Sequence, residues 1–357
     1  MQIIRNWFNR HFSDPQVIIL IVLLLTVAAV ILLMGKILAP VLASVVLAYL
    51  LEGLVGIMER HKIPRLFAVI IVFLIFILFL FFLLFGLLPI LSQQVVQAAG
   101  ALPAMVIHGR QQLMLLPELY PDYFSQDQVS NLMNMLQTEL VGISQKLISI
   151  SVASVRGVVT FLVYIILMPL LVFFFLKDKV DILNWLSAFL PDDCSLSFQV
   201  WREVDQQIGN YTRGKFWEIL FVGVISYAAF HMLGLQFAML NGFLAGLSVL
   251  VPYVGVTVVF FPIALMGYFQ FGWSSEFLYV VLAYLIIQIL DGNLLAPLLL
   301  SEVVNLHPIA IIVAVLVFGG LWGFLGVFFA IPLATLVQAI LRSWPVKNSL
   351  TNGAEKD

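Results

Sequence analysis

Charge is what this chain has least of. Its 357 residues include 17 lysines and arginines and 19 aspartates and glutamates, so charged residues make up 10%, against about 25% in soluble domains. With 62% hydrophobic residues and a mean hydropathy of +1.10, a water-soluble globular protein is excluded. Cysteine is nearly absent: Cys194 stands alone, which rules out an intrachain disulfide or a thiolate metal cluster and makes it a spectator. The formal net charge of −2 gives no case for a nucleic-acid partner. Apolar residues run in continuous blocks rather than alternating, so a β-barrel is excluded as well. What remains is an all-α polytopic protein of the lipid bilayer.

The enzyme signatures are also missing. No G-x-x-x-x-G-K-[ST] phosphate loop occurs, because Gly35-Lys36 and Gly214-Lys215 lack the rest of it. Direct drive by ATP is therefore not encoded. H-E-x-x-H and G-x-S-x-G are absent, and no second intramembrane aspartate is available for an aspartyl protease. No enzyme activity, cofactor or metal site is expected.

The chain divides by hydropathy. Residues 1–91 hold three predicted spans, Pro15–Met34, Ile37–Met58 and Leu66–Leu91, the first two separated only by Gly35 and Lys36. No small-residue cleavage site follows the first run, so it reads as a retained span. Residues 92–151 turn polar and read as an external, periplasmic helical insert. Residues 152–176 are a fourth span, 177–215 a cytoplasmic amphipathic helical segment, 216–341 a distal transport core and 342–357 a cytoplasmic tail. With a cytoplasmic N-terminus, thirteen basic residues fall inside, and only Lys36, Arg110, Lys146 and Arg156 outside. The positive-inside rule then places both termini in the cytoplasm, with about eight crossings.

The distal core has no lysine or arginine between Phe216 and Leu341, and its only acids are Glu218, Glu276, Asp291 and Glu302. It is nonetheless rich in helix-breaking signals: Val251-Pro252-Tyr253-Val254-Gly255, Asp291-Gly292-Asn293, Pro297, Asn305-Leu306-His307-Pro308, Gly319-Gly320 and Ile331-Pro332. Broken apolar helices with isolated polar groups suit a transport pathway, where freed backbone and buried acids can meet a solute. Residues 237–271 and 308–341 read either as two re-entrant hairpins or as ordinary kinked spans. Weak internal similarity favours the hairpins, since Gly255-Val256 leads to Phe260-Phe261-Pro262 as Gly326-Val327 leads to Phe328-Phe329-Ala330-Ile331-Pro332. Inverted repeats with broken helices are a recurring transporter plan.

Asp291 is the sharpest candidate. A carboxylate inside an apolar block costs about 2.5–3.5 kcal/mol to insert, and could bind a proton or cation. Alternatively it caps a half-helix resuming at Asn293. Pro252, Tyr253 and Gly255, with Asn305, His307 and Pro308, would shape the pathway, although Pro after His also simply starts a helix. Glu52 reads as interfacial if its helix ends near Leu51. Arg213, with Asn210, Tyr211 and Lys215, reads as a basic anchor, and Glu302 as a secondary position. His231 reads as a packing residue, and the distal glycines as sites of close helix approach. Four distal carboxylates without a cationic neighbour in sequence favour cation over anion handling.

The segments Phe173-Phe174-Phe175-Leu176-Lys177-Asp178, Asn210-Tyr211-Thr212-Arg213-Gly214-Lys215, Val251-Pro252-Tyr253-Val254-Gly255, Leu290-Asp291-Gly292-Asn293-Leu294-Leu295-Ala296-Pro297, Asn305-Leu306-His307-Pro308 and Phe318-Gly319-Gly320-Leu321-Trp322-Gly323 resemble the autoinducer-2 exporter family, most closely its permease members. The resemblance implies a multi-pass inner-membrane transporter that forms homo-oligomers. It implies either export of a small polar solute such as autoinducer-2 or sodium/proton antiport. A passive oligomeric channel and a non-transporting membrane scaffold are the competing classes.

Overall fold

The computed structural model describes residues 15–113, 158–189, 195–300 and 306–343, with isolated positions between 127 and 145. Every regular element among the described residues is helical. This follows from the chemistry of lipid, where backbone N–H and C=O groups must be satisfied within the segment.

The first helix, α1 (Pro15–Arg60), runs unbroken for 46 residues. The turn expected at Gly35-Lys36 is therefore absent, and the first two predicted spans are one rod. A single glycine costs a helix about 1 kcal/mol, too little to stop one flanked on both sides by apolar, helix-forming residues. At roughly 1.5 Å per residue the rod is about 69 Å long, over twice the hydrocarbon thickness. A tight turn at His61–Pro64 leads into α2 (Arg65–Phe81), a π-helical stretch (Phe82–Leu87) and α3 (Leu88–Leu113), all continuous. The helix thus passes through Ser92, where the polar insert was expected to begin. The rest of that insert and the C-terminal tail lie outside the described residues.

Helix α4 (Val158–Lys177) packs with α1 and α2 around Ala48, Leu51, Val55, Val69, Val72, Phe76 and Val172. Phe73 meets Phe173 edge-on with ring centroids 5.2 Å apart. A short helix, α5 (Lys179–Ser187), follows. Then α6 (Ser195–Met232) runs for 38 residues straight through the 215/216 boundary. The cytoplasmic segment and the first distal span are hence one continuous helix, and α6 is the element on which the distal half is assembled.

Two helical hairpins follow. The first comprises α7 (Ala238–Ser248) and α8 (Val254–Phe271). After α9 (Ser275–Leu290), a π-helical stretch (Asp291–Leu295) and α10 (Ala296–Leu300), the second comprises α11 (Pro308–Trp322), α12 (Phe324–Phe328) and α13 (Ala330–Ser343). Asp291-Gly292-Asn293 is thus a π-turn inside a continuing helix, not a break. Among the described residues, four helical stretches are long and apolar enough to cross a bilayer: Ile37–Arg60, Arg65–Ala101, Val254–Phe271 and Ser275–Leu300. The apolar run Val256–Phe271 is short of a full span by sequence, but its helix starts at Val254 and at 18 residues qualifies.

The internal similarity has a structural counterpart. Gly255 starts the second arm of the first hairpin directly against the Ser248 carbonyl, and Gly326 lies in the same way against the Phe318 carbonyl. At neither corner is there room for a Cβ. The first hairpin is also fastened to its neighbours. Gln94 on α3 accepts the otherwise orphaned Leu240 N–H at 2.8 Å, a capping role at a helix start. The Tyr284 hydroxyl donates to the Val256 carbonyl at 2.7 Å. Gly242 and Gly246, four residues apart, bring α7 onto α6, where a Cβ at 246 would lie 2.7 Å from the Ile219 carbonyl.

Gly246→Ala and Gly255→Ala should each destabilise the protein by about 1–3 kcal/mol, because backbone atoms oppose the added methyl. Gly35→Ala, with nothing within 4 Å of the new Cβ, should be neutral or stabilising by up to about 1 kcal/mol. Thermal unfolding of the three variants in one detergent checks the contrast.

Candidate functional site

The polar groups of the described residues fall into two sets. The first ties helix ends together. Arg65 reaches Glu52 and Glu59 at 3.2 Å each and donates to the Leu176 carbonyl at 2.8 Å, so its planar fork joins α1, α2 and the end of α4. Lys179 adds a bond to Glu52 at 3.1 Å. Glu52 therefore sits inside α1, which continues to Arg60, as the hub of an ion-pair network that remains partly exposed. Tyr49 donates to Asp205, and the Arg213 stem lies on Gly53, where a Cβ would be 2.6 Å from Arg213 Cδ. The Arg213 guanidinium donates to Asn210 at 2.7 Å. Glu52 and Arg213 thus fasten α6 and the helix turns to α1 and do not meet Asp291.

The second set lies between α6 and the α9–α10 rod. Two contacts fix how these helices cross. Gly214 sits so close to α10 that a Cβ there would be 2.5 Å from the Leu299 carbonyl. Further along, Val222 packs with Ile287 and Leu295. The residues between these contacts face one another, and they are charged. Lys215 bonds Glu218 at 2.8 Å, with side chains only 4% and 3% exposed. Asp291 is 6% exposed, lies within electrostatic reach of both Glu218 and Lys215, and its Oδ1 has no hydrogen-bond partner. One turn earlier, both amide atoms of Gln288 are buried and unpartnered, as is the Thr212 hydroxyl on α6. Tyr211, fully buried, faces Glu218 and carries the α6 contact to Leu300, Ile311 and Ile331.

Orphaned polar atoms of this kind are costly in an apolar interior, at about 1–3 kcal/mol each, and at Asp291 the orphaned atom belongs to an acid with two further buried charges within electrostatic reach. Two acids and one base leave a net charge of −1, beside a neutral amide and a hydroxyl. This donor set suits a monovalent cation or a proton.

The other sequence candidates are dispersed. Asn293 is exposed and its amide turns back to the Ile289 carbonyl at 2.8 Å. Pro252, Tyr253 and Gly255 form the corner of the first hairpin, with Tyr253 exposed at φ 63°. His307 is exposed and caps α11, its Nδ1 accepting from the Ile309 N–H at 3.3 Å, with Pro308 in the first turn. His231 is exposed too and stacks on Tyr227. Asn305 and Glu302 lie outside the described residues. The view that the distal acids lack a cationic neighbour is corrected by Lys215, three residues before Glu218. That spacing puts both on one helical face and could have been read from the sequence, as could Gln288 three residues before Asp291.

A profile of the family described as "AI-2E family transporter" matches residues 18–346. The chain belongs to the AI-2E transporter family. It is 41% identical over 345 residues to the Escherichia coli K12 protein named "Putative permease PerM", covering 97% of this chain and 98% of that one. It is 26% identical over 307 residues to the Bacillus subtilis "Putative transport protein YueF", covering 84% of this chain and 82% of that one. A second Bacillus subtilis relative, "Putative transport protein YrrI", is 24% identical over 312 residues, 87% of each chain. The family resemblance and the all-helical membrane architecture read from the sequence are thereby borne out. The protein is a membrane protein of a permease and transport-protein family.

Lys215→Met strands two buried acids and should cost about 3–5 kcal/mol of stability, the usual penalty for breaking a buried pair. Lys215→Met/Glu218→Gln together should recover most of that loss. Unfolding midpoints of the single and double variants measure the coupling directly.

Proposed function

We propose that the protein is a secondary transporter of the bacterial cytoplasmic membrane that exports a small polar solute, autoinducer-2-like in size and polarity, with ion coupling at Asp291. The observation that carries this reading is the buried Asp291 carboxylate at the α6–α9 crossing, whose Oδ1 has no hydrogen-bond partner. An ionisable group inside a bundle marks a solute or ion pathway far more often than it serves packing. A π-turn at the same residues supports it, because such turns displace side chains at functional positions within helices. Gln288 and Thr212 supply neutral hydrogen-bonding groups suited to a polar, uncharged solute.

A second reading, exchange of sodium or lithium for protons, is favoured by one feature: the charged groups facing Asp291 are one acid and one base, a set that can handle a cation without any organic solute. In both readings the basic clusters at 59–65, 177–179 and 202–213 face the cytoplasm. The turn that brought the N-terminus to that same side is absent, so the orientation rests on these clusters. The protein would work as a homo-oligomer, its apolar helix faces meeting lipid or a second copy.

Proteoliposomes carrying wild type or Asp291→Asn, with internal pH followed as sodium, lithium and autoinducer-2 are added in turn, test the proposal. Wild type should respond to one of them, and Asp291→Asn should lose at least about 90% of that response, as loss of a coupling carboxylate requires. A response from both proteins that ignores the proton gradient would instead support a passive channel.

A further inference from the structure

The second acid and the lysine beside Asp291 are not needed to bind an ion, yet both are buried at the same crossing. The Lys215–Glu218 pair is local to α6, three residues apart, while Asp291 approaches from the π-turn on the neighbouring rod. The Lys215 ammonium bonds Glu218 and leaves Asp291 Oδ1 without a partner. Lysine is a compact charge on a flexible four-carbon stem with three rotatable donors, and Asp291 lies within its electrostatic reach. The backbone at this point is held in place, because Gly214 is wedged on Leu299. The charged groups within reach of Asp291 are Lys215 and Glu218 on α6. The titratable hydroxyl of Tyr211, on the same helix, faces Glu218.

We propose that Lys215 is a tethered counter-ion that competes with the transported monovalent cation or proton for Asp291. This deepens the coupling role of Asp291 and rests on it. With a cation or proton on Asp291, Lys215 stays on Glu218. When the cation leaves, Lys215 turns to Asp291, and the one unbalanced negative charge passes to Glu218, which the Tyr211 hydroxyl faces. The two acids and one lysine accept one added positive charge to reach neutrality. A divalent cation would leave an excess charge and is rejected. The Gln288 carbonyl, three residues before Asp291 on the same rod, is a neutral oxygen without a hydrogen-bond partner.

The two halves of the switch predict shifts of opposite sign. Glu218→Gln removes the resting place of Lys215, holds it on Asp291, and should raise the half-saturating sodium concentration about tenfold or more. Lys215→Met/Glu218→Gln removes the competitor, and should lower that concentration by a similar factor while slowing turnover. Both variants are assayed in proteoliposomes with sodium, lithium, potassium and calcium at several pH values, beside wild type and Asp291→Asn. Opposite shifts, with no response to calcium, support the tethered counter-ion. No shift, or shifts of the same sign in both variants, would overturn it while leaving Asp291 as the coupling residue. If the double variant does not fold, an unchanged Glu218→Gln half-saturation alone overturns it. If Asp291→Asn behaves as wild type, or wild type moves no protons with any of these ions, the coupling reading falls and takes this inference with it.

Discussion

Everything in the distal half depends on how closely α6 approaches the α9–α10 rod. That approach is possible because position 214 carries no side chain: Gly214 lets the Leu299 carbonyl lie where a methyl group would have been. Close packing brings a charged stretch of one helix against the π-turn of the other and expels water from between them. In bulk water, charges a few ångströms apart interact weakly, but in a low-dielectric crossing the same charges dominate one another. The burial of Lys215, Glu218 and Asp291 is thus a consequence of a glycine, and their chemistry is a consequence of their burial.

The polar groups near the other helix ends obey a different logic. Glu52, Arg65, Glu59 and Lys179 remain partly wet, and surface ion pairs of that kind contribute little each, about 0–1 kcal/mol. Their value is geometric. One guanidinium fixes three helix ends, including an otherwise unpaired carbonyl at Leu176. Among the described residues the ion pairs lie either near helix ends, where they orient the helices, or at one interior crossing of α6 with the α9–α10 rod.

The bilayer class and the candidacy of Asp291 were legible in the sequence, because apolar runs and a lone intramembrane acid are strong signals. Helix boundaries were less so. Gly35-Lys36 looks like a turn in a hydropathy trace, yet two polar residues cannot overcome the backbone hydrogen bonding of the apolar turns on either side. Asp291-Gly292-Asn293 reads as a stop, but in lipid a helix that stops leaves unpaired carbonyls, and widening to a π-turn keeps them bonded. The Lys215–Glu218 pair was missed because a composition boundary was drawn at Phe216, between residues that share one helical face. The positions of Asn293 and His307 needed coordinates, since nothing in their local sequence says whether an amide or an imidazole turns inward or caps its own helix.

The two hairpin corners have a mechanical meaning. At Gly255 and Gly326 the α-carbon rests directly on a carbonyl of the preceding arm, at Ser248 and Phe318. A joint seated in that way has no slack, so neither corner can act as a hinge. Each hairpin therefore moves as one stiff body. The compliance in this protein lies instead where the helical ladder is already loosened, at Phe82–Leu87 and at Asp291–Leu295. The second of these puts the widened turn of the distal half at the residue whose buried carboxylate keeps an oxygen without a partner.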